Sequence, residues 1–166
     1  MPALPLVVGP DPVFRKKAET VEVVDDSIRT LISDMFETLY QEQGVGIGAN
    51  MVGVLKRIIV IDLKENGTKQ PIAMVNPEII KTSGDRQVFE EASLSFPGIS
   101  AKIERPSRIT VRFLGEQGDH QEIEAQGFLA TVIQHEMDYL EGRTFLDHLS
   151  RVKRDGLMRK YRKMQR

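Results

Sequence analysis

The segment Gln134-His135-Glu136-Met137-Asp138-Tyr139 holds residue types used in metal-assisted hydrolysis. In the pattern His-Glu-x-x-His, two histidines share a helix face and bind a metal. The Glu then handles protons for the metal-bound water. Here the second histidine position is Tyr139. Taken alone, His-Glu-x-x-Tyr is a weak signal, because a lone histidine on an apolar helix is more often a core residue than a ligand. Ser93 and His135 also have the types for a serine nucleophile and its base. Glu136 directly follows His135, so on a helix it points about 100° away and is a poor orienter of the imidazole. His120, in a Gly-Asp-His turn, and His148 are expected to face solvent, and Asp138 to pair with Arg143 or cap a loop. Gly44, Gly46 and Gly48 do not make a nucleotide loop, since no Lys-Ser/Thr follows them.

The elements that must position these residues follow from periodicity. The spacing of Phe128, Val132, Ile133 and Leu140, with His135 and Tyr139 four apart, predicts a helix over 127–141. A second amphipathic helix is predicted over 27–42, capped by Asp26 or Ser27 and ended by Gly44. Residues 44–53 read as a glycine-dense loop. Arg57–Asp62 is a β-branched run that predicts a buried strand, with a turn at Glu65-Asn66-Gly67 and a returning strand at Pro71–Asn76. Ile109–Leu114 and Gln121–Ala125 predict a further strand pair. A last helix is predicted over 151–164, with Gly156 as its weak point. Strands followed by a core helix, with helices at both ends, do not alternate as βαβ units. The pattern implies an α+β fold with antiparallel sheets.

The chain has 166 residues, 40% of them hydrophobic and 28% charged, which is the composition of an ordinary globular protein. Residues 1–150 are expected to form one domain, with 151–166 as its basic C-terminal helix. No cysteine is present, which excludes disulfides, thiolate metal sites and a cysteine nucleophile. No apolar run approaches the ~20 residues of a membrane span. The opening Met1-Pro2-Ala3-Leu4-Pro5 lacks the basic region and cleavage site of a secretory signal. The formal net charge of −1 divides into −8 over residues 1–150 and +7 over 151–166. That basic tail is either a solvated helix or a docking surface for a polyanion such as the ribosome. DNA binding is not expected.

Three ordered segments resemble the peptide deformylase family. Gly44-Val45-Gly46-Ile47-Gly48-Ala49-Asn50-Met51-Val52-Gly53 is similar to the family's Gly-x-Gly-Leu-Ala-Ala-x-Gln-x-Gly. Glu90-Glu91-Ala92-Ser93-Leu94-Ser95-Phe96-Pro97-Gly98 is similar to its Glu-Glu-Gly-Cys-Leu-Ser-x-Pro-Gly, and the stretch from Gln134 to Gly142 to its Gln-His-Glu-x-Asp-His-Leu-x-Gly. The likeness is collinear from about 6 to 148 and includes Arg105-Pro106. It implies a deformylase-type fold, antiparallel sheets around a central helix that bears the motif. It also implies removal of the formyl group from N-formylmethionine of nascent proteins by a divalent metal, with Glu136 as general base and then acid. Leu94, through its backbone amide, takes the oxyanion position, and Glu91 with Arg105 the position of a supporting ion pair.

The sequence departs from the family at the ligand positions. The family's Cys, first His and second His correspond to Ser93, His135 and Tyr139, and its oxyanion Gln to Met51. An alcohol and a phenol replace a thiolate and an imidazole, the donors that hold ferrous iron or zinc. Met51 has no hydrogen to donate. The expectation is therefore a deformylase-like protein with a degenerate site, no metal, and little or no activity. Its expected partners are formylmethionyl or other N-terminal peptides and, through the tail, the ribosome. The alternative is an active or weak deformylase that holds Fe²⁺, Ni²⁺, Co²⁺ or Zn²⁺ by an unusual ligand set. Gly46, Ile47, Phe128, Thr131 and Val132 are expected to line the peptide cleft. Tyr139 is expected to fill the metal space beside it. The expected location is cytoplasmic, or an organelle.

Overall fold

In the computed structural model, which describes residues 3–165, the apolar run near residue 60 does form a strand. This strand, β2 (Ile58–Ile61), is buried along its whole length and is preceded in the chain by β1 (Gly46–Gly48). A five-stranded antiparallel sheet runs β1-β2-β3-β6-β7, with β3 at Ile72–Thr82, β6 at Arg108–Leu114 and β7 at His120–Gln126. The remaining strands, β4 (Arg86–Glu91) and β5 (Ala101–Pro106), pair only with each other. Helix α1 (Asp26–Gln41) precedes the sheet, α2 (Gly127–Leu140) follows β7, and α3 (Arg151–Met164) follows α2. The α+β architecture with antiparallel sheets thus matches the expectation from the sequence.

Helix α2 is buried on nearly every side, as expected of a helix at the centre of a molecule. Ala130, Ile133 and Leu140 pack with Ile59, Ile61 and Val111 of the large sheet. Tyr139 joins a second cluster with Phe14, Met51 and Phe145. The β4–β5 hairpin closes over α2, where Gln87 Nε2 donates to Gly127 O at 2.7 Å and to Thr131 Oγ1 at 2.9 Å.

Several local expectations need correction. The cap of α1 is Asp25, which accepts from Ile28 N–H, not Asp26 or Ser27. The left-handed residue after α1 is Gln43, at φ 56°, and Gly44 only follows it, donating to Leu39 O. The glycine-dense stretch is not all loop, for it contains β1 and a 3-10 helix, Ala49–Val52. Pairing with β2 imposes the strand on residues of low strand propensity. The strand expected at Pro71–Asn76 runs on to Thr82, past a register shift between Val75 and Glu78 where Asn76 sits at φ 52°.

Helix α3, capped by Ser150, lies against the N-terminal segment. Tyr161, fully buried, donates from its hydroxyl to Gly9 O at 2.6 Å. Met1, Pro2 and Arg166 lie outside the described residues, and with them the start of the stretch read for a signal and the last residue of the basic tail. Among the described residues no helix is long and apolar enough to cross a membrane.

Candidate active site

A cleft of about 380 Å³ opens between Gly44–Gly46 and Glu90–Leu94, with α2 as its floor. Gly46, Ser93, Leu94, Phe128, Thr131, Val132, His135 and Glu136 all line it. Ile47, Met51 and Tyr139 do not. Ile47 alternates with Gly46 along β1 and is buried in the core. Met51 turns inward too, its Sδ accepting from Gly48 N–H at 3.4 Å. Tyr139 lies beneath the cleft, fully buried against Phe14, with ring centroids 5.2 Å apart.

The positions compared with the family's Cys and second His are joined to each other. Ser93 Oγ and Tyr139 Oη lie 2.6 Å apart in a hydrogen bond, and Ser93 Oγ also accepts from Ser95 N–H at 3.2 Å. Burial drives the Tyr139 phenol far above its ordinary pKa of 10.0, so it keeps its proton. Two neutral hydroxyls that already satisfy one another, with one imidazole beside them, do not fit a divalent ion of the iron-to-zinc series. Among the described residues no group of three or more His, Cys, Asp or Glu side chains is placed to hold a metal.

His135 is held from a direction that the helix alone could not reveal. Its Nδ1 pairs with Glu91 Oε1 at 2.8 Å, across 44 residues of chain. Arg105 fixes Glu91 from the other side, through Nε to Oε2 at 2.8 Å and Nη2 to Oε1 at 2.9 Å. The fork reaches on to Asp138 Oδ2 at 3.0 Å, where His148 Nε2 also bonds at 2.8 Å. The Asp138 side chain therefore serves a buried network, Arg143 meeting only its backbone through N–H to Asp138 O at 2.9 Å, and His148 is part of that network and not merely solvent-facing. Burial raises the Glu91 pKa, but the hydrogen bonds from Arg105 and His135 outweigh it and hold the carboxyl below its ordinary value. Burial lowers the His135 pKa, and its bond to Glu91 more than reverses this.

Glu136 is the odd member of the cleft. It is 4% exposed, and its Oε1 has no hydrogen-bond partner among the described residues. Burial raises its pKa to about 7. It stands close beside β1, where a Cβ on Gly46 would lie 3.1 Å from Glu136 Oε2 and force one of the two to shift. The orienter of His135 is thus Glu91, not the adjacent Glu136. The spacing of Glu91 and Arg105 along the chain gave no hint of the bond to His135, and the resemblance placed the two only as an ion pair with each other.

Comparison with known proteins accords with this architecture. The family profile described as polypeptide deformylase matches residues 3–155. The chain belongs to the polypeptide deformylase family. A peptide deformylase-like protein of Rickettsia conorii is 52% identical, covering 96% of this chain and 87% of the relative. The peptide deformylase of Rhizobium meliloti is 44% identical, covering 96% and 92%. The crystal structure of an Ehrlichia chaffeensis peptide deformylase in complex with actinonin superposes with a TM-score of 0.93 at 42% identity, covering 100% of this chain and 99% of that one.

Proposed function

We propose that this deformylase-family protein binds the N-terminal end of a peptide in the cleft over α2, without a protein-held metal and without appreciable deformylation. The observation that carries this reading is the hydrogen bond between Ser93 and Tyr139, which ties up the two replaced ligand positions. The binding surface is otherwise complete. Val132 and Leu94 offer apolar walls, Phe128 an aromatic rim against Phe89, and Gly44 and Gly46 a backbone that a ligand can approach closely. Glu91 holds His135 in one orientation, and Arg105 holds Glu91. These residues position and desolvate a bound chain end. Action in the cytoplasm, and docking of the basic helix α3 on the ribosome, belong to the same proposal.

A second reading is favoured by the relatives. The Rhizobium meliloti and Bartonella quintana proteins, 44% and 46% identical, are named peptide deformylases, and the loss of activity does not follow from these comparisons. On that reading an ion is held by Ser93, His135, Tyr139 or a donor from elsewhere, and the chain is an active or weak deformylase.

One experiment separates the two. Protein purified anaerobically is supplied with Fe²⁺, Ni²⁺, Co²⁺ or Zn²⁺ and given formyl-Met-Ala-Ser, beside Glu136→Ala. The proposal expects calorimetric binding of the peptide and no turnover above that of the variant. Turnover that disappears in Glu136→Ala establishes the second reading.

A further inference from the structure

The charged groups around the cleft are almost all acidic. Glu42, Glu90, Glu91 and Glu136 line it, together with His135, and no Lys or Arg is among the lining residues. The four carboxylates differ in what compensates them. Glu42 and Glu90 are exposed and stand in water. Glu91 is held by Arg105 and His135. Glu136 is more than nine-tenths buried, faces the cleft and has an Oε1 with no partner among the described residues. A buried carboxylate is costly unless a positive group or several donors reach it. The hydroxyls of Ser93 and Tyr139 bring no charge, and they bond to each other. The Arg105 guanidinium is engaged by Glu91 and Asp138, and the Nδ1 of His135 by Glu91. A cation that enters from the cleft would meet the Glu136 carboxylate without displacing any of these pairs. The open cleft lies over the carboxylate, and Leu94, Phe128 and Val132 supply apolar surface close by.

We propose that the cleft selects a free α-ammonium end on an apolar N-terminal residue, with Glu136 as its counter-ion, over the same residue carrying an N-acyl block. The inference rests on the peptide-binding reading above and names the chemistry of the chain end. An α-ammonium offers three N–H donors and a full charge to Glu136. A formylated nitrogen offers one donor, no charge and an added carbonyl oxygen that a cleft rich in carboxylates disfavours.

The test is titration calorimetry of the full chain at pH 7.0 in the presence of a chelator, with Met-Ala-Ser, formyl-Met-Ala-Ser and acetyl-Met-Ala-Ser. At that pH most peptide α-amino groups are charged. The free amine is expected to bind on the order of tenfold tighter than either blocked peptide. Glu136→Gln is expected to erase that preference, bringing the free amine and the blocked peptides within about twofold of each other. The comparison on the unaltered protein needs no variant and decides the preference even if Glu136→Gln folds poorly. Equal or tighter binding of the formyl peptide overturns this inference and leaves the peptide-binding reading standing. Binding of none of the three overturns both. A preference that survives in Glu136→Gln overturns the role given to Glu136.

Discussion

At the scale of single residues, Glu136 is where fold and site conflict. Its pKa is near 7 in the folded chain against an ordinary 4.5. A carboxyl with a raised folded pKa binds more protons folded than unfolded between those two values. Stability therefore falls as pH rises through that window, and the loss is complete above about 7. Glu136→Gln removes the ionisation and is expected to stabilise the protein by on the order of 2–3 kcal/mol at pH 8, with little effect at pH 4. Thermal melts of both proteins at the two pH values measure this, and an equal shift at both would remove ionisation as the cause. Glu91 works in the opposite direction. Its carboxyl is held below the ordinary 4.5, so what it contributes is present above that value and lost as pH falls through its lowered folded pKa.

At the scale of elements, the close approach of β1 to α2 decides whether a cleft exists. Gly46→Ala would place a Cβ 3.0 Å from Val132 Cγ1 and 3.1 Å from Glu136 Oε2. The substitution is expected to cost about 1–2 kcal/mol through overpacking. It should weaken peptide binding by more than that stability loss explains, because it fills the space beside Glu136. Chemical denaturation and peptide titration of the variant check the two halves separately. The same contact explains what the sequence disclosed and what it hid. Helix α2 and strand β2 were legible, since apolar and β-branched spacing marks them directly. Strands β4 and β5 were not, because Arg86-Gln87-Val88-Phe89-Glu90-Glu91 is too charged to read as a buried strand and pairs only with its hairpin partner. The motif helix announced His135 and Glu136. The bond from Glu91 to His135 depends on how the hairpin folds over α2, which no periodicity encodes. Ile47 was misplaced because glycine-rich segments carry no visible alternation. Once β1 is known to be a strand, Gly46 and Ile47 must face opposite ways.

At the scale of the whole molecule, α3 is fastened to the opposite end of the chain. The Tyr161 hydroxyl reaches Gly9 O across 152 residues, and its ring packs on Phe96 with centroids 5.5 Å apart. Tyr161→Phe keeps the ring and strands a buried carbonyl, so it is expected to cost about 1–2 kcal/mol. Amide exchange should rise across Arg151–Met164 more than in α2, and uniform exchange throughout would mean that α3 does not open on its own. The Ser93–Tyr139 bond has a different reach. A thiolate–ferrous centre is vulnerable to dissolved oxygen, whereas an alcohol and a phenol with its proton retained have no comparable oxidation ladder. The Ser93–Tyr139 bond that joins α2 to the segment after β4 therefore offers dissolved oxygen no thiol to oxidise.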